Sequence, residues 1–129
     1  MIQAERVDFI AVPTRDQGRA VRFYEETLGL DRNPNSSERW VEFEIGNLTI
    51  AILPHENTGR SEFTPSSAPI ALRVADVEEA RRRLEAAGVE FPTDTIDSGV
   101  CHIAPFADPD GNSLMLHCRY APYSDGSTP

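Results

Sequence analysis

Residues 6–13 alternate between polar and apolar positions with the period of a half-buried strand. Beyond them the period changes. Ala20, Val21, Phe23, Tyr24 and Leu28 recur at helical spacing and predict an amphipathic helix. Asp16 stands where a carboxylate accepts the first orphan amides of that helix, and Gly29 stands at its left-handed stop. Two further strands are predicted over residues 39–45 and 48–53, joined by a Gly46-Asn47 hairpin. Along the first of these, Val41, Phe43 and Ile45 share one face, which should pack under the helix. Trp40, Glu42 and Glu44 take the opposite face, with Glu44 next to the hairpin and toward solvent.

The same order then returns. Phe9-Ile10-Ala11-Val12 is echoed by Pro69-Ile70-Ala71-Leu72, and at one constant offset Asp16 matches Asp76 and Ala20 matches Ala80. The second helix opens on a capping-box pattern, Asp76-Val77-Glu78-Glu79, and buries Val77, Ala80, Leu84 and Ala87. Arg81-Arg82-Arg83 on this helix reads as solvated arginines among Glu78, Glu79 and Glu85, not as a binding patch. Asp108-Pro109-Asp110-Gly111 is a strong turn between strands at 100–107 and 112–119. Each module thus reads strand, helix, three strands, and the fold class is α+β with two tandem βαβββ modules, at about 6–54 and 69–119. Residues 55–68, rich in Ser, Thr, Pro and Gly, form a linker that doubles as a flap, with His55 solvated within it. Residues 120–129 form a polar tail.

Composition narrows the function. With 129 residues, 40% hydrophobic and 26% charged, the chain is sized for one folded domain. Acidic residues outnumber basic ones 21 to 12, for a formal charge of −9. That field repels phosphate backbones and anionic lipid, so neither nucleic acid nor a membrane surface is an expected partner. Every basic residue is arginine, which leaves Schiff-base chemistry no amine but the N-terminus. Cys101 and Cys118 are too few for a disulfide framework or a Cys-rich zinc site. No apolar run reaches the roughly 20 residues of a membrane span, and Met1–Arg6 lacks signal-peptide character. A cytoplasmic location is expected.

The paired modules, with Phe23-Tyr24 leading to Leu28-Gly29-Leu30, Ile70-Ala71-Leu72-Arg73-Val74 before Asp76-Val77, and Asp108-Pro109-Asp110-Gly111-Asn112, resemble the vicinal-oxygen-chelate superfamily. It includes glyoxalase I, extradiol dioxygenases, fosfomycin-resistance enzymes and bleomycin-resistance proteins. The resemblance covers about residues 6–119 and implies curved mixed sheets around a concave pocket, usually completed in a homodimer. Metal-dependent members take a His or Gln from the first strand of a module and a Glu from the last. Here those positions fall on Phe9, Pro69, Met115 and either Ile50 or Ala51. None offers a basic nitrogen or a carboxylate, and the Met115 thioether suits Cu(I), not the divalent ions of these relatives. No cofactor is therefore expected; a divalent metal displaced onto His55, His102 and His117 is the alternative.

The last hairpin decides where two histidines point. A type I turn with a glycine bulge sets Asp108 opposite Asn112, Ile103 opposite His117 and His102 opposite Cys118. Without the bulge, His102 faces His117, and Cys101 faces Cys118 closely enough for a disulfide. Pro-Asp-Gly favours the bulge, with two free thiols. His117 shares the parity of Met115 and, by the family geometry, enters the cavity, where an imidazole binds ligand or acts as a general base. The candidate ligand-binding residues are Phe9, Trp40, Glu42, Arg73, His102, Met115 and His117, with His117 the one candidate catalytic group. Trp40 offers a ring to stack on, Glu42 a carboxylate for a cation or hydroxyl, and Arg73 an anion partner. Ordinary core packing explains Phe9 and Met115 equally well, and a hydrogen-bonded structural role explains the histidines. The expected function is metal-free small-molecule binding of the bleomycin-resistance type, in a homodimer. A lyase, isomerase or dioxygenase acting on a small oxygenated substrate is the alternative, and a purely dimeric interaction module a third.

Overall fold

A computed structural model describes all of residues 1–129, which divide into two compact units, Met1–Ser66 and Ser67–Pro129. In the first, strand β1 (Phe9–Thr14) leads into helix α1 (Gln17–Arg22). The predicted cap forms, with Asp16 Oδ1 accepting from the Arg19 amide at 3.1 Å. The helix then widens into a π turn over Phe23–Thr27, where the Leu28 amide reaches back to the Phe23 carbonyl at 2.9 Å, and Gly29 ends it at φ 72°. Strands β2 (Asp31–Arg32), β3 (Val41–Glu44) and β4 (Thr49–Pro54) complete a four-stranded sheet in the order β1-β4-β3-β2, with β1 and β4 parallel and the others antiparallel.

Most of the core lies on the helix side of this sheet, with Ala51 and Leu53 buried on the other face. Val12, Val41, Phe43, Ile50 and Ile52 are buried on the helix side with Ala20, Val21 and Tyr24 of the helical segment. The Tyr24 ring stacks on Phe43 at 6.0 Å between centroids. Val41 and Phe43 point as the alternation predicts, which leaves Trp40, Glu42 and Glu44 on the other face. Two boundaries shift. β1 begins at Phe9 and not Arg6, because its partner strand begins at Thr49, directly opposite Phe9. Arg6 instead pairs with Asp8 in solvent. β3 begins at Val41 because Ser37 and Trp40 close a bridge of their own.

The second unit repeats the plan. β5 (Ile70–Arg73), α2 (Val77–Ala86), β6 (Ile96–Asp97), β7 (Cys101–Ala107) and β8 (Ser113–Arg119) give a sheet ordered β5-β8-β7-β6, again with only its first pair parallel. Val77 and Leu84 pack with Ala104, Phe106, Leu114 and Leu116. Asp76 caps α2 by accepting from the Glu79 amide at 3.0 Å. The Glu79 carboxylate takes Arg82 and Arg83 rather than closing the capping box, and their guanidinium groups hold its pKa below the usual carboxylate range. Arg81 bonds Glu85 and the Thr93 carbonyl while lying 4.8 Å above the Phe91 ring, so the arginine run is absorbed by its own surroundings.

The bulged hairpin register is the one observed. The Asp108 amide donates to the Asn112 carbonyl at 3.0 Å, Ile103 faces His117 and His102 faces Cys118. Gly111 supplies φ 87°. The buried Asp108 carboxylate accepts from the Asp110 and Asn112 amides, each at 2.9 Å, and from Asn112 Nδ2 at 2.8 Å. Both thiols are free.

Candidate functional site

In each unit one sheet face carries the helix and the other does not. On the helix-free face of the first sheet, Phe9, Thr49 and Glu44 share a row, as do Ala11, Ala51 and Glu42. The Phe9 and Trp40 rings meet edge to face at 5.5 Å, and both remain substantially exposed, at 45% and 38%. Trp40 Nε1 donates to Glu42 Oε1 at 2.6 Å, and the other Glu42 oxygen accepts from Asn33 Nδ2 at 3.2 Å. Asn33 Nδ2 also reaches Glu44 Oε1 at 3.1 Å. The indole and the half-buried carboxylate are thus held in fixed positions beside an aromatic edge. Asn33 was not among the expected site residues; its only sequence signal is Asn33-Pro34, which reads as a turn and says nothing of the carboxylates it orients.

On the helix-free face of the second sheet, Arg73, His117 and Ile103 form one row and Ala71, Met115 and Pro105 the next. Arg73 is exposed and makes no ion pair within the chain. The His117 imidazole is half-buried and takes no hydrogen bond within the chain, unlike a structural histidine. Met115 is half-buried between them and the hairpin end.

His102 does not join this group. One residue from Ile103, it points to the opposite side of the sheet, a correction that follows from the strand period. There its ring lies 4.8 Å from Tyr120, and its Nε2 stands 3.5 Å from Asp97 Oδ2. Asp97 Oδ1 accepts from the Tyr120 hydroxyl at 2.8 Å and from the Gly99 amide at 2.9 Å. These bonds, the Gly99 amide foremost, hold the Asp97 carboxyl below its ordinary pKa, while that carboxylate pushes the Tyr120 phenol up. His55 is also not solvated as expected: its side chain is 20% exposed and packs edge-on against Phe63 at 5.8 Å.

The positions at which metal-dependent relatives carry ligands can be tested residue by residue. Register resolves the ambiguity on β4, since Ala51 lies on the face of Phe9 while Ile50 is buried under the helix. Phe9, Ala51, Pro69 and Met115 offer carbon and one thioether. No three His, Cys, Asp or Glu side chains are grouped to hold a metal ion. This donor set does not fit zinc, nickel, iron or manganese.

Two four-stranded mixed sheets, each β-α-β-β-β with its first and last strands parallel, define an α+β protein of paired modules. Residues 6–116 match the Glyoxalase/Bleomycin resistance protein/Dioxygenase superfamily, and the chain belongs to it. Among solved structures it is similar to TnmS3, an antibiotic binding protein from Streptomyces sp. CB03234, at 26% identity and a TM-score of 0.73, covering 92% of this chain and 99% of that one. It is similar to lactoylglutathione lyase from Agrobacterium tumefaciens at 17% identity and a TM-score of 0.73, over 89% and 94% of the two chains. The Bacillus subtilis (strain 168) protein YurT is 27% identical over 114 residues, spanning 79% of this chain and 90% of YurT. No helix is long and apolar enough to cross a membrane.

Proposed function

We propose that this protein binds a small aromatic molecule without a metal, as a cytoplasmic homodimer. The observation that carries the reading is the helix-free face of the first sheet. Where metal-dependent relatives present a ligand, that face presents the exposed Phe9–Trp40 pair, with Glu42 fixed beside it. An edge-to-face aromatic pair next to one oriented carboxylate recognises a ring bearing a hydroxyl or amine. On the second sheet, Arg73 and His117 supply uncommitted polar groups beside Met115 and Ala71. The similarity to an antibiotic binding protein supports the same reading. Thermal unfolding of the purified chain against a panel of aromatic antibiotics tests it. A ligand at 100 times its Kd stabilises by about 2.7 kcal/mol, a readily measured rise in Tm. A panel that leaves Tm unmoved at saturating concentrations contradicts the proposal.

A second reading rests on His117. An imidazole without an internal hydrogen bond, in the row of Arg73, is placed to take a proton from an anionic or enolisable substrate. Turnover of hemithioacetals or catechols, abolished in His117→Ala and unchanged by added metal, would favour this enzyme reading over binding alone. No turnover with the wild-type protein would set it aside.

A further inference from the structure

A concavity lies entirely within the first unit, on the helix side of its sheet. It is a cleft of about 660 Å³ between the α1 segment and the loop joining β2 to β3, well within the range of small-molecule sites. Its loop wall is held in place. Asn33 Oδ1 accepts from the Asn35 amide, the Ser36 amide reaches the Asn33 carbonyl, and Ser37 and Trp40 exchange backbone bonds at 3.0 and 3.3 Å. The opposite wall is fixed by Gln17 Nε2, which donates to the Ile52 carbonyl at 2.9 Å. The cleft therefore needs little ordering on binding.

Its charged lining is only partly paired within the protein. Glu25 is satisfied by Arg32 at 3.2 Å. Arg22, Glu26 and Glu38 line the same space, exposed to solvent and without an ion pair or hydrogen bond to the protein, although Arg22 and Glu26 are spaced as helix partners. Gly18, a costly residue within a helix, lies against the Arg22 guanidinium: a Cβ there would stand 3.4 Å from Arg22 Nη1. Gln17 Oε1 is buried without a donor. It is closed off from solvent and therefore belongs to the wall of the cleft. Val21 and Val41 give the cleft an apolar component, both being buried core residues at its lining.

An unpaired guanidinium, two unpaired carboxylates and a valine floor call for a molecule carrying one carboxylate, one ammonium and an apolar side chain. We propose that this cleft binds a free α-amino acid with an aliphatic side chain. Its carboxylate meets Arg22, its ammonium meets Glu26 and Glu38, and its side chain covers Val21 and Val41. None of the residues proposed above to touch an aromatic ligand is assigned a contact here, so this assignment can fail or stand independently of that reading.

Titration of the full-length, 15N-labelled protein with L-leucine, followed through backbone amide shifts, tests the assignment. Saturable shifts are expected at Gly18, Ser37 and Glu38, with Arg73 and His117 unmoved. Loss of one charge-assisted contact weakens binding by roughly tenfold or more. Arg22→Gln should therefore bind L-leucine at least that much more weakly, and so should the wild-type protein with 3-methylbutylamine or 4-methylpentanoate, which each lack one of the two charges. The ligand comparison needs no variant to fold. Absence of saturable shifts, shifts confined to the Arg73–His117 face, or equal affinity for leucine and its singly charged analogues would each overturn the assignment.

Discussion

Single side chains set what each sheet face offers. Trp40 is tied at both ends, its ring against Phe9 and its Nε1 on Glu42, so truncating it removes a stacking surface and releases a carboxylate together. Aromatic pairs contribute about 0.5–1.5 kcal/mol beyond area burial, so Trp40→Ala should lower affinity for an aromatic ligand by up to roughly tenfold. Isothermal titration checks this; unchanged affinity would remove Trp40 from the site. Asp97 acts at a different place. Its carboxyl is held below the ordinary value in the folded state, so its contribution is present above its unfolded pKa, near 4, and is lost as pH falls through the folded value. The stability difference between wild type and Asp97→Asn should thus shrink as pH falls below about 4 through the folded value. Urea melts at each pH measure it, and a difference that does not change with pH would show the carboxylate carries no such coupling. Orientation of Trp40, Glu42 and His117 was legible in the sequence because strand alternation fixes it once one apolar set is known. Asn33 and Tyr120 were not, since their partners come from tertiary contacts that no periodicity encodes.

At the scale of elements, caps and turns carry the pattern that residue spacing announces. Asp16 and Asp76 both bond the third amide of their helices, as their matching positions in the repeat require. The two-residue strands β2 and β6 were counted in the βαβββ reading but could not be placed, because alternation over two residues has no period to detect. The π turn at Phe23–Thr27 likewise has no distinct composition. The Asp108–Asn112 turn differs from the caps in burial. Three donors converge on one buried carboxylate, and leaving buried groups unpaired costs about 1–3 kcal/mol each. Asp108→Ala should therefore destabilise by more than about 2 kcal/mol, against about 1 kcal/mol for Asp76→Ala, where an exposed cap is lost to water. Chemical denaturation of the two variants compares them, and an equal loss would place the turn no deeper energetically than a surface cap.

Over the whole molecule, an internal repeat and a familiar fold coexist with a changed interior. The repeat was readable because both modules keep the same order of caps, glycines and strand pairs, from Ile10 and Ile70 onward. The ligand is less readable, since an apolar face is chemically the least specific kind of surface, and only Glu42, Arg73 and His117 add direction to it. The central claim is that carbon at Phe9, Ala51 and Pro69 and a thioether at Met115 replace the donors of metal-dependent relatives. Its most direct test is equilibrium dialysis of the purified protein against zinc, nickel, iron(II) and manganese, with bound metal measured by mass spectrometry. No stoichiometric uptake of any of the four is expected, with aromatic-ligand binding the same before and after treatment with chelator. One tightly held equivalent of any of them, with ligand binding lost when it is stripped, would contradict the claim.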